Sequence, residues 1–258
     1  MHDQIVIRYL YNSGFTIEYG NDFIVIDYVE GPLTLPVDRE ILFIVTHAHS
    51  DHYNPAIFSL PGAERARYVL STDIEAPEAI EASQASGTIL RLASTREEAA
   101  VRKIVYDPKR TRRIAPMDAF HWGDVAFQAF GSTDQGVSLL FTIRGVSFFH
   151  AGDLNAWAWP NTSKAEQTRE ESDYRRWLDR ISAYPIDIGF GVVDPRLGEN
   201  AMIGGALFLE MLKPQIFIPM HFREGTDAPF HFRKIYQPRT DSVIKVLTEP
   251  GERVIVQG

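Results

Sequence analysis

The sequence predicts an α/β protein whose chemistry is concentrated at strand ends. Three observations carry that expectation. Short apolar runs of strand length recur at residues 5–10, 23–28, 41–45, 146–150, 186–193 and 215–222. Longer stretches of helical period lie among them, most clearly 162–182, where Tyr174, Trp177, Leu178 and Ile181 fall on one stripe. Several apolar runs end in His or Asp, where turn formers alone would have sufficed.

The first segment reads as a β meander. Residues 5–10, 15–19 and 23–28 alternate or run apolar, and Asn12-Ser13-Gly14 and Gly20-Asn21-Asp22 supply turns. Gly31, Pro32 and Pro36 keep the next stretch irregular, and residues 41–45 form the following strand. Asp27 closes its apolar run either as a residue reaching water, the favoured reading, or as a partner of a nearby site. Asn54 and Pro55 suit a helix cap and first turn. Residues 66–70 and 88–92 read as strands, with helices at 75–84 and from 94. The basic run 109–113 reads as a solvated turn, with an anion contact as the alternative. His121 reads as structural.

Residues 124–130, 137–143 and 146–150 form a second meander, with Arg144-Gly145 as a tight turn. A helix over 162–182 follows, then a strand at 186–193, helical spacing at 199–212, and the apolar run to His221. Residues 242–247 read as a last helix and 253–256 as a last strand. No repeat, low-complexity stretch or linker interrupts the chain, so residues 1–258 are read as one domain.

Composition bounds the function. Hydrophobic residues make up 45% and charged residues 23%, an ordinary globular balance. No apolar stretch reaches the roughly 18 residues a membrane span needs. The first residues lack the basic flank and apolar core of a signal peptide, so the cytoplasm is the expected location. With no cysteine, any metal must be held by His, Asp or Glu. The net charge of −8 disfavours a nucleic-acid groove and favours a small-molecule partner.

One stretch organises the rest. The strand at 41–45 delivers His47, His49, Asp51 and His52 within a few residues. Strand alternation places His47 and His49 on one side. Imidazoles and a carboxylate crowded this closely are metal-ligand chemistry. Mixed His and carboxylate ligands admit zinc, manganese or iron.

The segment Thr46-His47-Ala48-His49-Ser50-Asp51-His52 resembles the signature of the metallo-β-lactamase superfamily of metal-dependent hydrolases. The resemblance extends in order through Gly152-Asp153 after a strand and His221 at a strand end. It implies a four-layered αββα sandwich holding one or two divalent metal ions, zinc first and manganese or iron as alternatives. Asp153 would bridge two ions, with Asp51, His52 and His221 around one and His47 and His49 around the other. Asp51 would also orient water or accept its proton. The family's usual third histidine is absent; Ser132 stands in its place, with Asp134 two residues on. Asn12, Ser132, Asp134, Trp157, Asp194 and Arg196 border the implied site as substrate contacts or supports of ligands. Trp157 and Trp159 either wall a pocket or anchor the next helix. Arg196 either clamps an anion or pairs with Asp194. His150 is left without a role, and His231 is read as surface or core.

The Gly131–Gly136 loop and the Val193-Asp194-Pro195-Arg196 segment resemble the branch near the ascorbate-phosphate lactonases. The implied function is metal-dependent hydrolysis of a small-molecule ester, lactone or amide. A phosphodiesterase or nuclease of the same fold and a non-catalytic metal-binding protein are the rivals.

Overall fold

The computed structural model describes residues 4–75 and 107–257. The first meander forms as expected, through β1 (Gln4–Tyr11), β2 (Gly14–Tyr19) and β3 (Asp22–Ile26). Next come β4 (Glu40–Val45), β5 (Arg67–Ser71) and β6 (Thr111–Ile114), each parallel to its predecessor. The second meander is β7 (Ala119–Trp122), β8 (Val125–Phe130), β9 (Ser138–Ile143) and β10 (Val146–His150). Then β11 (Ile188–Val192), β12 (Ile216–Met220) and β13 (Val243–Ile244) add in parallel. The last strand, β14 (Arg253–Gln257), returns to pair antiparallel with β1. Two mixed sheets result, ordered β14-β1-β2-β3-β4-β5-β6 and β13-β12-β11-β10-β9-β8-β7.

Strand alternation explains how the first sheet is buried on both faces. Ile24, Ile26, Leu42 and Ile44 point into the large core between the sheets. Val25, Ile41, Phe43 and Val45 point the other way, into a second cluster with Ile57, Phe58 and Tyr68. Parallel strands covered on both faces must be apolar throughout, which is why these runs read as continuous. The outer face of the second sheet is covered by α1 (Lys164–Ile181), α2 (Ile203–Leu212) and α3 (Asp227–Tyr236). Phe208 of α2 and Phe232 of α3 both pack on Phe217 of β12. The fold is an α/β sandwich of two mixed sheets flanked by helices.

Three local expectations change. Residues 242–247 contain the short strand β13 and no helix. Val243 and Ile244 are β-branched, and the open edge of β12 offers backbone partners. The basic run is a 3-10 turn leading into β6, whose Arg112 lies over the rings of Phe120 and Trp122. Among the described residues β6 is the last strand of its sheet, and charged side chains suit an edge, where they discourage pairing with other chains. Helix α2 starts at Ile203, after a 3-10 segment at Pro195–Asn200. The helices and strand expected between 76 and 106 lie outside the described residues.

Candidate metal centre

Five strands end at one place. Asp27 follows β3, residues 46–52 follow β4, Asp153 follows β10, Asp194 follows β11 and His221 follows β12. These are carboxyl ends of parallel strands, where α/β sheets place their ligands.

Asp153 lies at the centre. Its Oδ2 is 3.3 Å from His47 Nε2 and 3.7 Å from His49 Nδ1. Its Oδ1 is 2.9 Å from His52 Nε2 and 3.2 Å from His221 Nε2. Each oxygen of this carboxylate thus faces two imidazoles, and His47 and His52, whose rings lie 4.1 Å apart, connect the two sides: ligand atoms of His47, His52 and Asp153 lie within 4.8 Å of one another. Asp51 joins the second pair, with Oδ2 3.4 Å from His221 Nε2. Asp134 joins the first: donor atoms of His49, Asp134 and Asp153 lie within 4.8 Å of one another. Ser132 turns away, its hydroxyl accepting the Asp134 backbone N–H at 3.1 Å.

The buried rings are held by their outer nitrogens. His52 Nδ1 donates to Asp27 Oδ2 at 2.8 Å, and His221 Nδ1 donates to Asp194 Oδ2 at 3.0 Å. His47 Nδ1 lies 3.0 Å from Thr46 Oγ1, which itself donates to Asp27 Oδ2 at 2.7 Å. Each contact fixes a proton on Nδ1 and leaves the Nε2 lone pair facing inward, the arrangement that tunes a metal-binding histidine. Nε2 of His47, His52 and His221 and Oδ1 of Asp153 are buried and make no hydrogen bond among the described residues. Orphaned buried polar atoms each cost about 1–3 kcal/mol, and their convergence fits a divalent cation.

Protonation at the centre is set jointly by the protein's own groups. Burial opposes a charged His52, but Asp153 and Asp27 outweigh it and lift its pKa to about 9. His221 is raised well above its ordinary value by Asp153, Asp194 and Asp51, again against burial. Asp153 is desolvated, yet His52, His221 and His47 hold its carboxyl far below the usual range.

The supports of this cluster are Asp27 and Asn12, both weighed from the sequence, and Arg223, which the sequence did not single out. Asp27 is fully buried, where the expectation favoured contact with water. Its Oδ1 also accepts the Thr46 backbone N–H at 2.8 Å, so it organises the start of the histidine loop. Arg223 Nη2 donates to Asp51 Oδ2 at 2.7 Å. Asn12 is fully buried and reaches the Asp51 carbonyl at 3.3 Å, so it supports Asp51 rather than facing the cleft. Backbone strain gathers here: Asn12, Asp27, His221 and Arg223 have φ of +52°, +45°, +66° and +49°. Asn and Asp tolerate this region, but His221 and Arg223 hold it only where the surroundings impose it. Asp27 was detectable as another carboxylate ending an apolar strand; nothing in the spacing marked Arg223.

His150 is a structural residue. Its Nδ1 accepts the Gly152 N–H at 3.1 Å, so Nε2 carries the proton and donates to the Ser13 carbonyl at 2.9 Å. That bond shapes the turn that presents Asp153. His121 on β7 and His231 on α3 are exposed and outside the cluster.

A cleft of about 380 Å³ opens over the centre. Trp157 and Trp159 stack at 5.9 Å, and both line the cleft. Trp157 also donates from Nε1 to the Asp153 carbonyl at 2.9 Å and meets His221 edge-on. Arg196 lies over Trp159 with its fork on Asp194, so the pairing alternative is the one present. Asp134 and Glu170 lie on the same cleft. A larger groove of about 1070 Å³ beside β13 contains none of the strand-end groups.

No protein-family model matches the sequence, and no curated protein matches it significantly. Solved structures do. A metallo hydrolase from the archaeon Ignicoccus hospitalis is similar with a TM-score of 0.63 and 15% identity over 99% of both chains. The metallo-β-lactamase fold protein YhfI from Bacillus subtilis gives 0.58 and 12%, covering 99% of this chain and 100% of that one. CmlA, a diiron β-hydroxylase from Streptomyces venezuelae, gives 0.58 and 11%, covering 98% of this chain and 54% of that one. At these identities the likeness is one of fold, and the fold is that of the metallo-β-lactamases.

Proposed function

We propose that the protein is a metal-dependent hydrolase acting on an ester, lactone or amide bond of a small molecule. The observation that supports it most is the division of four imidazoles between the two oxygens of Asp153. His47 and His49 would hold one divalent cation, Asp51, His52 and His221 a second, and Asp153 would bridge them. Bound cations supply Lewis acidity and bring the pKa of water to roughly 7.

The chain's own residues do the rest. Asp27, Thr46 and Asp194 fix the ring protons, so the inner nitrogens stay available as ligands. Trp157 and Trp159 give the substrate an apolar wall and keep water off one side. Asp51 is desolvated, yet His221, His52 and Arg223 hold its carboxyl well below the ordinary range. Asp51 would serve as a ligand and would orient water or accept its proton. A neutral scissile group is favoured over a phosphodiester by the charges of the cleft. Among the described residues the arginines that line the cleft, Arg196 and Arg223, are engaged by Asp194 and Asp51, which leaves no free guanidinium there to clamp a phosphodiester.

A panel of lactones, esters and amides run against aryl phosphodiesters, with zinc or manganese added, tests this reading. Turnover of carbonyl substrates that disappears in Asp153→Ala is expected. Unchanged turnover in that variant would sink the mechanism, and cleavage confined to phosphodiesters would move the protein to the rival class.

A further inference from the structure

The geometry points to Asp134 as the group that completes the Oδ2 side of the centre, making that side two imidazoles and two carboxylates and turning it toward manganese or ferrous iron over zinc. This rests on the metal-centre reading above and adds a ligand and a selectivity to it.

The loop that carries Asp134 is tied to both halves of the site. Toward Asp153, Thr133 Oγ1 donates to the Asn155 carbonyl at 2.6 Å and accepts the Asn155 N–H at 2.9 Å. Toward the histidines, Gln135 Nε2 donates to Asp73 Oδ2 at 2.7 Å, and the same oxygen accepts the Ala48 N–H at 3.0 Å. Val137 N–H reaches the Thr46 carbonyl at 3.0 Å. Gly136, at φ +70°, lies so close that a Cβ there would meet the Thr46 carbonyl oxygen at 2.2 Å. Asp134 is therefore delivered between His49 and Asp153 by a fixed loop.

Its carboxylate has no other occupation. Among the described residues it accepts no hydrogen bond and pairs with no cation, since the nearby Arg196 and Arg223 serve Asp194 and Asp51. Glu170 stands on the same cleft, and burial together with Asp173 and Asp134 pushes its carboxyl up. The independent pointer to a cation is His47 Nε2, which is fully buried, faces Asp153 Oδ2 and has no hydrogen-bond partner; it groups with His52 and Asp153, whereas Asp134 groups with His49 and Asp153, so the shared Asp153 carboxylate is what joins Asp134 to the buried ligands. Ser132 is in none of the ligand-atom groups, and its oxygen accepts the Asp134 N–H. A carboxylate in place of a further imidazole adds a hard oxygen and a negative charge. Oxygen-rich sets suit manganese, whereas imidazole-rich sets suit zinc.

The test is metal binding to stripped full-length protein, with manganese or zinc alone added to wild type, Asp134→Ala and Asp134→His. Calorimetry gives stoichiometry and affinity, and electron paramagnetic resonance reports whether two manganese ions are coupled. Wild type is expected to bind two manganese ions with a coupled-pair spectrum. Asp134→Ala should keep one ion, give an isolated-ion spectrum and lose the second by at least the ~10-fold that even an outer partner of a ligand contributes. Asp134→His should keep two ions while its zinc-to-manganese affinity ratio rises at least about tenfold. Two tightly bound, coupled manganese ions in Asp134→Ala, or an unchanged ratio in Asp134→His, would overturn the role of Asp134 alone. A wild type that binds neither metal would overturn the metal centre itself and this assignment with it. Asp134 is exposed, so equal melting of the metal-free variants separates lost binding from lost fold.

Discussion

Asp27 shows how much a single buried carboxylate can organise. It receives His52 and the backbone and hydroxyl of Thr46, and through that hydroxyl it reaches His47. Burial alone would push its pKa up, but the His52 hydrogen bond and the neighbouring imidazoles hold it below the ordinary carboxyl value. Asp27→Ala strands these donors. Metal affinity should fall about 10–100-fold, and stability by about 1–3 kcal/mol per unsatisfied group, read by calorimetry and urea unfolding. A near-silent variant would remove Asp27 from the design. The metal-free protein should also carry a pH signature. A histidine raised from 6.5 unfolded to about 9 folded, as His52 is, contributes its full stability below the lower value. That contribution is lost as pH rises toward the upper one. Melting temperature of the stripped protein should decline across this window, and a flat profile would contradict the charge state assigned to His52.

At the scale of elements, the loop between β8 and β9 sets the site as much as the histidine loop does. Gly136 is its weak point. Gly136→Ala would require a left-handed alanine against the Thr46 carbonyl and the His47 Cβ, 2.2 and 2.4 Å from the new atom. The loop must move outward, so a destabilisation of more than about 1 kcal/mol is expected, together with loss of the ion on the Oδ2 side. Unfolding curves and metal stoichiometry check both. If stability fell while two ions stayed bound, the loop would be a structural brace only. The turn after β10 follows the same logic: Gly152, at φ +54°, places its N–H on His150 and aims Asp153.

On the scale of the molecule, the centre joins the two sheets. His47, His49, Asp51 and His52 come from the first sheet, Asp153 and His221 from the second. Cations that bind only the folded chain stabilise it by mass action, about 2.7 kcal/mol at a concentration one hundred times the dissociation constant. Chelation should therefore lower the melting temperature. Hydrogen exchange should accelerate first at the carboxyl ends of β4, β10 and β12. Uniform acceleration across both sheets would argue that the ions do not bridge them. Among the described residues no helix is long and apolar enough to cross a membrane.

What the sequence determined is the set of elements and the residues they deliver. Apolar runs of strand length had to be buried, so they formed the sheets. The His and Asp that ended them had to emerge at the sheet edge, which made His47 to His52 legible as a cluster, and the resemblance to the metallo-β-lactamase signature implied that Asp153 and His221 join it. Local pattern failed where pairing decided the outcome, as at residues 242–247, which took the free edge of β12. Roles that depend on which oxygen meets which nitrogen across distant strands were settled by the tertiary structure alone. The division of the imidazoles over Asp153, the burial of Asp27, the arrival of Arg223 at Asp51 and the closeness of Asp134 to His49 belong to that class. Periodicity tells a side chain which face to take. It carries no information about a partner more than a hundred residues away, as Asp51 and Arg223 are, because only the packing of the two sheets brings such pairs within reach.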